Sequence, residues 1–265
     1  MSEYALKLSD VELSRYELMA ARALEQERDR WVSAGVVEGA VVADIGCGPG
    51  AVSIALARQV GATGRVLSFD RTPEAVNMAR AVAERAGVGN VTVEVADADA
   101  TGVAPSSVDV AMIRHVLAHN GGREAAIVAH AATLIRPGGC VYLIDVDGTA
   151  VRTRPSDPDI DDLNHRYWEW HGRQGNDVSV GLRLDELLAG AGLDVVDFSG
   201  RYDIVVAPPG VRTPGWAARD ALVASGLATP DDVARWDAAF VRADGMQERP
   251  TVFVPMFCAF GRRPA

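Results

Sequence analysis

The sequence is poor in cysteine and has no long apolar run. Its 265 residues include three cysteines, Cys47, Cys140 and Cys258, one among glycines and two in apolar stretches. This number and spacing predict reduced, mostly buried thiols, and neither a disulfide framework nor a zinc site. No uninterrupted apolar stretch reaches the length of about 18 residues that a membrane-spanning helix needs, and the first residues lack the pattern of a signal peptide. We therefore expect a cytoplasmic protein with no membrane partner.

Positive charge is also scarce. Lys+Arg number 26 against 36 for Asp+Glu, which gives a formal net charge of -10. Such a surface repels the phosphates of nucleic acids and anionic lipid headgroups, so we expect no nucleic-acid partner. Hydrophobic residues make up 48% of the chain and charged residues 23%, which is the balance of an ordinary globular protein.

Short apolar segments alternate with segments of helical periodicity from about residue 40 onwards. The predicted strands cover 40–45, 65–70, 91–95, 108–113, 140–145, 193–198 and 251–260. The predicted helices cover 51–58, 73–86, 123–135, 182–191 and about 231–243, and one or two amphipathic helices over 9–33 precede the first strand. This alternation predicts an α/β fold with parallel βαβ units and a doubly wound sheet.

Two segments interrupt the alternation. Residues 148–181 are rich in Arg, Asp, Pro and Gly, and residues 205–246 contain Pro208-Pro209-Gly210 and one predicted helix. The first segment also carries an aromatic cluster: His165, Tyr167, Trp168, Trp170 and His171. Such a cluster either packs a helix onto the core or forms a wall for a flat ligand. We interpret both segments as a lid that builds a binding pocket over the sheet.

A glycine-rich turn follows the first predicted strand. Asp44-Ile45-Gly46-Cys47-Gly48-Pro49-Gly50 leads directly into a helix, so bare backbone and unpaired N–H groups can meet a ligand there. The turn is weak evidence alone, but Asp70 ends the second strand about twenty residues later, where a carboxylate can accept both hydroxyls of a ribose. Asp97 follows the third strand at the same sheet edge, where it can bind an adenine.

The ordered motifs resemble those of class I S-adenosylmethionine-dependent methyltransferases. They comprise Val42 to Gly50, the acidic Asp70, Ala96-Asp97-Ala98, and the Leu134 to Gly139 segment before a strand. The likeness covers roughly residues 40–147. Tyr4, Leu6, Glu12 and Arg15 also look like the cover helix of bacterial small-molecule members. The resemblance implies a mostly parallel seven-stranded sheet with an antiparallel last strand in one domain, with a helical cover over 1–38 and a cofactor-binding core over 39–147.

The resemblance also implies which residues bind S-adenosylmethionine. Gly46, Cys47 and Gly48 would hold the methionine part through backbone contacts. Asp44 would support the turn or the amino group, and Arg114 would approach the methionine part from the fourth strand. The remaining implied contacts are Asp70 to the ribose, Asp97 with Ala98 to the adenine, and Arg71 beside the adenine ring.

A candidate general base follows the fourth strand. The segment Arg114 to Asn120 is similar to one in small-molecule O-methyltransferases whose histidine serves as base, which indicates His119. Those enzymes usually continue with Asp-Trp, whereas this chain has Asn120-Gly121. His115 is the neighbouring candidate. Asp145 and Asp147 lie at the end of the fifth strand, where they either take part in catalysis or fix loops. The His and Asp residues here lack the tight spacing of metal ligands, so a metal site is not supported.

Four functions are compatible with these features. The first is methyl transfer to a small acceptor. The features favour a hydroxyl of an aromatic or polyketide-like molecule of secondary metabolism over a nitrogen or carbon atom. The second keeps the cofactor but catalyses a cyclisation or rearrangement without methylation. An NAD-dependent oxidoreductase is disfavoured by the spacing of the glycines, and a non-catalytic binding module by the aromatic segment. The cover helices could also form a homodimer interface.

Overall fold

The computed structural model describes residues 10–265, and for the first turns of the N-terminal helix it describes the backbone but few side chains. Tyr4 and Leu6 lie outside the described residues, and so do the side chains of Glu12 and Arg15. The strands are β1 (Val41–Ile45), β2 (Arg65–Asp70), β3 (Val91–Val95), β4 (Val108–Arg114), β5 (Ile135–Val146), β6 (Arg152–Arg154), β7 (Asp194–Val206) and β8 (Thr251–Arg262).

One long helix covers the sheet where the sequence predicted one or two. The helices are α1 (Asp10–Ala34), α2 (Ala51–Val60), α3 (Pro73–Arg85), α4 (Glu124–Leu134), α5 (Pro158–Arg173), α6 (Leu184–Gly190), α7 (Pro214–Ala217), α8 (Arg219–Ala224) and α9 (Pro230–Asp244). Short 3₁₀ turns lie between them at Leu117–His119, Gly148–Ala150 and Val180–Arg183.

The sheet has the predicted doubly wound topology. Its order is β3-β2-β1-β4-β5-β8, and the first five of these strands are parallel. β8 is antiparallel to β5 and β7, one on each side. The α/β class, the mostly parallel sheet and the antiparallel last strand are therefore confirmed. β6 is an eighth strand that the sequence did not predict, and it pairs with Thr251–Phe253 of β8. Arg152–Arg154 is too short and too charged to be recognised as a strand from its sequence.

β7 is longer than predicted. It continues to Val206 and pairs with β8 along its whole length, so the second excursion begins later than residue 205. α7, α8 and α9 follow it and pack against α5 around a separate apolar cluster that includes Leu163, Trp170, Trp236 and Phe240. The two segments predicted as a lid therefore share one small core of their own.

The main core fills both faces of the sheet. One face buries Ile45, Ile113 and Leu143 against α4 and α6, and the other buries Trp31 of α1 and Leu56 of α2. Burial of side chains on both faces is what keeps the parallel strands almost wholly apolar. Polar side chains are consequently concentrated at the carboxyl ends of the strands, where the candidate site lies.

Candidate cofactor and acceptor site

The turn between β1 and α2 is built from glycines that no other residue could replace without strain. Gly46, Gly48 and Gly50 have φ values of 78°, 53° and 81°. A Cβ on Gly46 would lie 2.2 Å from Cγ2 of Val116, and one on Gly50 would lie 2.8 Å from Cβ of Ala79. The turn therefore needs both the left-handed backbone and the missing side chains.

Asp70 joins the end of β2 to this turn. Its Oδ2 accepts a hydrogen bond from the Gly48 amide at 2.9 Å, and its Oδ1 accepts one from the Thr72 amide at 2.9 Å. Thr72 is the N-cap of α3, but its side chain makes no capping bond. Asp70 thus fixes two loops at once, and each of its oxygens keeps a second lone pair for a ligand hydroxyl.

Asp44 is a buried carboxyl group at the floor of the turn. Burial raises its pKa to about 6, although a hydrogen bond from Ser53 and the charge of Arg114 oppose this. Ser53 Oγ donates to Asp44 Oδ2 at 2.6 Å. The sequence did not indicate Ser53, since a serine on an apolar helix face gives no signal until that face meets the strand.

Arg114 is held by a glutamate that the sequence analysis missed. Its Nη2 donates to Oε1 of Glu27 at 2.9 Å, and the two side chains are 8% and 0% exposed. Glu27 lies on α1 among many charged residues, and only its spacing of four residues from Ala23 and from Trp31 indicates that it is buried. The Nε of Arg114 is buried without a hydrogen-bond partner among the described residues.

Asp97, Ala98 and Arg71 lie on the rim, beyond β2 and β3. The Asp97 side chain is 57% exposed, and its Oδ1 is 3.6 Å from Nη2 of Arg123. These three residues line the same cavity as the turn. The cavity has a volume of about 750 Å³. All nine residues predicted to bind the cofactor line it: Asp44, Gly46, Cys47, Gly48, Asp70, Arg71, Asp97, Ala98 and Arg114.

Both candidate bases also line this cavity. His115 has a φ of 56°, and its Nδ1 is 3.8 Å from Oδ1 of Asp145. Burial lowers the pKa of His115 and the neighbouring Arg114 lowers it further, whereas the hydrogen bond to Asp145 acts in the opposite direction. His119 ends a 3₁₀ turn, with its ring 4.8 Å from that of His171. Asp145 fixes a loop as well, since its Oδ2 accepts from the Ala118 amide at 3.2 Å.

The aromatic cluster of α5 divides between the two roles considered for it. His165, Tyr167 and Trp168 line the cavity. Trp170 instead packs into the core between α5 and α9. His171 is buried beside His119, and burial lowers its pKa to about 3. One face of α5 is therefore a cavity wall and the other anchors the lid segments.

The polar atoms and the exposed backbone of this cavity fit S-adenosylmethionine. Gly46 and Gly48 both line the cavity, and a Cβ on Gly48 would be 3.8 Å from the nearest described atom, in the Tyr16 ring. A buried carboxyl at Asp44 and the unpaired Nε of Arg114 offer partners to an ammonium and a carboxylate. The residues fit the methionine, ribose and adenine parts in that order along the strand ends. The site lies at the switch point of a doubly wound sheet, which defines a Rossmann-like nucleotide-binding domain.

Comparison with known proteins identifies the kind of nucleotide site. A family model described as a methyltransferase domain matches residues 37–177, just over half of the chain. The chain belongs to this family, the class I S-adenosylmethionine-dependent methyltransferases, and S-adenosylmethionine is its cofactor. The family assignment rules out the alternative of an NAD-dependent oxidoreductase.

Individual relatives show how far the likeness extends. An arsenite methyltransferase of Aquipseudomonas alcaligenes is 33% identical over 122 residues, which are 43% of this chain and 35% of that protein. The matches span about a third of the length of the curated relatives. A methyltransferase of Aquifex aeolicus shares the fold with a TM-score of 0.53 and 20% identity, over 72% of this chain and 92% of that one. The [4+2]-cyclase SpnF shares it with a TM-score of 0.55 and 16% identity, over 94% and 81%.

Among the side chains that the structure describes, His, Cys, Asp and Glu form no group of three or more that could hold a metal ion. In the same part of the chain, none of the helices is long and apolar enough to cross a membrane.

Proposed function

We propose that the protein transfers a methyl group from S-adenosylmethionine to a hydroxyl of a small, largely apolar acceptor. The observation that carries the proposal is that His119 and the α5 residues Tyr167 and Trp168 line the same cavity as the glycine turn. The acceptor would lie between the strand ends and α5, α7 and α9. An aromatic or polyketide-like molecule suits walls of this composition.

The residues of the chain mostly orient and enclose the reactants. When bound, S-adenosylmethionine supplies a sulfonium methyl group that is transferred by in-line displacement. The Gly46 to Gly48 backbone, Asp44 and Arg114 would hold the methionine part, with Asp70 at the ribose and Asp97 at the adenine. His119 would take the proton from the acceptor hydroxyl, and the lid segments 148–181 and 205–246 would keep water out.

Replacement of His119 by glutamine tests its role as the base. We expect kcat to fall by about 100-fold, the lower end of what a general base contributes, while the Kd for S-adenosylhomocysteine stays within about twofold. The acceptor comes from a screen of phenols in which product mass shows addition of one methyl group. His130→Gln is the matched control, because His130 binds the Thr101 amide outside the cavity. Full activity of the His119 variant would exclude this histidine as the base.

The raised pKa of Asp44 predicts a pH dependence of cofactor binding. A carboxyl with a pKa of about 6 is mostly neutral at pH 5 and ionised above pH 7, and only the ionised form attracts the ligand's ammonium group. We expect the affinity for S-adenosylhomocysteine to rise about tenfold between pH 5 and pH 7.5. Titration calorimetry measures this, and Asp44→Asn should bind more weakly with no such rise. An equally steep rise in the variant would assign the dependence to another group.

The same carboxyl should also affect stability, with the opposite sign. Because the folded pKa is raised above the ordinary value of 3.8, the stabilising protonated form is lost as pH rises from about 4 through about 6. Between these pH values the ligand-free wild type should lose stability relative to Asp44→Asn. Chemical unfolding across this range checks the sign.

A second candidate is a cyclisation or rearrangement that uses the bound cofactor without methylating. Its support is the fold shared with the [4+2]-cyclase SpnF and the Asn120-Gly121 pair after His119, where O-methyltransferases usually have Asp-Trp. Product mass separates the two, because a cyclase neither adds a methyl group nor releases S-adenosylhomocysteine. A homodimer, a cytoplasmic location and a place in secondary metabolism stay predictions.

A further inference from the structure

A pair of polar side chains lies in the wall of the cavity contributed by the second lid segment. Arg212 and Thr213 precede α7, and both line the cavity. They belong neither to the glycine turn nor to the histidines beside β4. They therefore meet the part of a ligand that is not reacting.

Arg212 is held in place by an ion pair and an aromatic contact, and only one of its guanidinium nitrogens is hydrogen-bonded. Its Nη2 donates to Oδ2 of Asp244 at 2.7 Å, and its Cζ lies 4.8 Å from the centre of the Phe240 ring. The side chain is 15% exposed. Nε and Nη1 have no hydrogen-bond partner among the described residues, so two of the three guanidinium nitrogens keep N–H donors for a ligand.

The carboxylate beside Arg212 has a second partner. Asp244 also accepts from Nη2 of Arg249 at 3.3 Å, so one carboxylate serves two guanidinium groups. The Nε of Arg249 donates to the carbonyl of Ala207 at 3.0 Å, which uses that guanidinium within the protein. The single charge of Asp244 is therefore shared between two guanidinium groups at this wall.

Thr213 adds an unused hydroxyl group. Its Oγ1 is buried without a hydrogen-bond partner among the side chains and backbone that the structure describes, and it makes no capping bond although it is the N-cap of α7. A buried polar group without a partner is costly, and a ligand that bonds it removes that cost.

Apolar side chains line the same cavity as these two groups. Val205, Val252 and Val254 of the sheet and Phe240 of α9 line the same cavity. We propose that the methyl acceptor carries a carboxylate on an otherwise apolar skeleton, and that Arg212 and Thr213 bind this carboxylate. The proposal rests on the proposed function, since it assigns the acceptor's class. It makes Arg212 a specificity-determining residue, because a guanidinium group recognises a carboxylate through charge-assisted hydrogen bonds.

Binding of paired probes tests this without turnover. The probes are para-hydroxybenzoate, para-hydroxyphenylacetate and para-hydroxycinnamate, each with its primary amide, and the protein is saturated with S-adenosylhomocysteine. We expect at least one acid to bind about tenfold or more tightly than its amide, as for a charge-assisted hydrogen bond that is lost. In Arg212→Gln this preference should disappear. Thr213→Val should weaken the binding of the acid more than the binding of the amide.

Arg219→Gln is the matched control. Arg219 also stacks on an aromatic ring, with its Cζ 4.7 Å from the Trp216 ring centre, and is paired with an aspartate, but it does not line the cavity. It should keep the wild-type preference. Acids and amides that bind equally, failure of every acid to bind, or an Arg212 variant that still prefers the acid would each overturn the proposal. Failure of the proposed function would differ, since it would be loss of cofactor binding or of methyl transfer to any acceptor.

Discussion

Replacement of Glu27 by glutamine is expected to lower the free energy of unfolding by about 3–5 kcal/mol, the usual cost of removing one member of a buried ion pair. Glu27 is fully buried and accepts hydrogen bonds from Arg114 at 2.9 Å and from Trp31 and Tyr142, both at 3.3 Å. Arg201 approaches it as well, at 3.5 Å. Glutamine keeps an acceptor for Trp31 and Tyr142 but leaves the Arg114 guanidinium without its counter-charge.

Chemical unfolding of both proteins measures this effect, and a lower Tm by about 10 °C should accompany it. The control is Glu25→Gln, which removes the same charge from an exposed position of α1 and should change stability by less than about 0.5 kcal/mol. Equal stability of the Glu25 and Glu27 variants would mean that this ion pair does not anchor α1.

Replacement of Gly46 by alanine is expected to reduce the affinity for S-adenosylhomocysteine by about 100-fold. Two separate costs combine at this position. A φ of 78° is unfavourable for any side chain, and the added Cβ would meet Val116 at 2.2 Å. Relief of that contact moves the turn that presents its backbone to the methionine part.

Gly192→Ala separates these two costs. Gly192 has the same φ of 78°, but a Cβ there would meet nothing within 4 Å. This control should lose about 1–2 kcal/mol of stability from backbone strain alone and keep its affinity for the ligand. Calorimetry with both variants decides the matter. If Gly46→Ala bound the ligand within about threefold of the wild type, the turn would not be the binding element.

The cofactor side of the site could be predicted from the sequence because its signals are local. Gly46, Gly48, Asp70 and Asp97 each follow a strand at a fixed spacing, and parallel strands bring their carboxyl ends to one edge. The structure accordingly places all of them in one cavity. The predicted bounds of strands were less accurate where pairing with a neighbouring strand, and not composition, decides where a strand ends. β7, for example, continues to Val206 because it pairs with β8 that far.

Charge pairs between distant parts of the chain could not be predicted in the same way. Arg212 and Asp244 are 32 residues apart, and Glu27 and Arg114 are 87 apart, so only the tertiary fold brings these charges together. Glu27 lies four residues from each of the buried Ala23 and Trp31 on one face of α1, whereas Glu25 lies on an exposed face. The division of the α5 aromatics into wall and core depends likewise on where α9 packs.

The central claim, that the glycine turn and the acidic strand ends bind S-adenosylmethionine, is tested most directly by a thermal shift assay. The purified protein is heated with S-adenosylmethionine, S-adenosylhomocysteine or NAD, each at a high multiple of its expected Kd. A ligand at 100 times its Kd stabilises the folded state by about 2.7 kcal/mol, which is a clear shift in Tm. We predict stabilisation by the two sulfur nucleotides and none by NAD. No shift with either sulfur nucleotide, or a shift with NAD alone, would contradict the account.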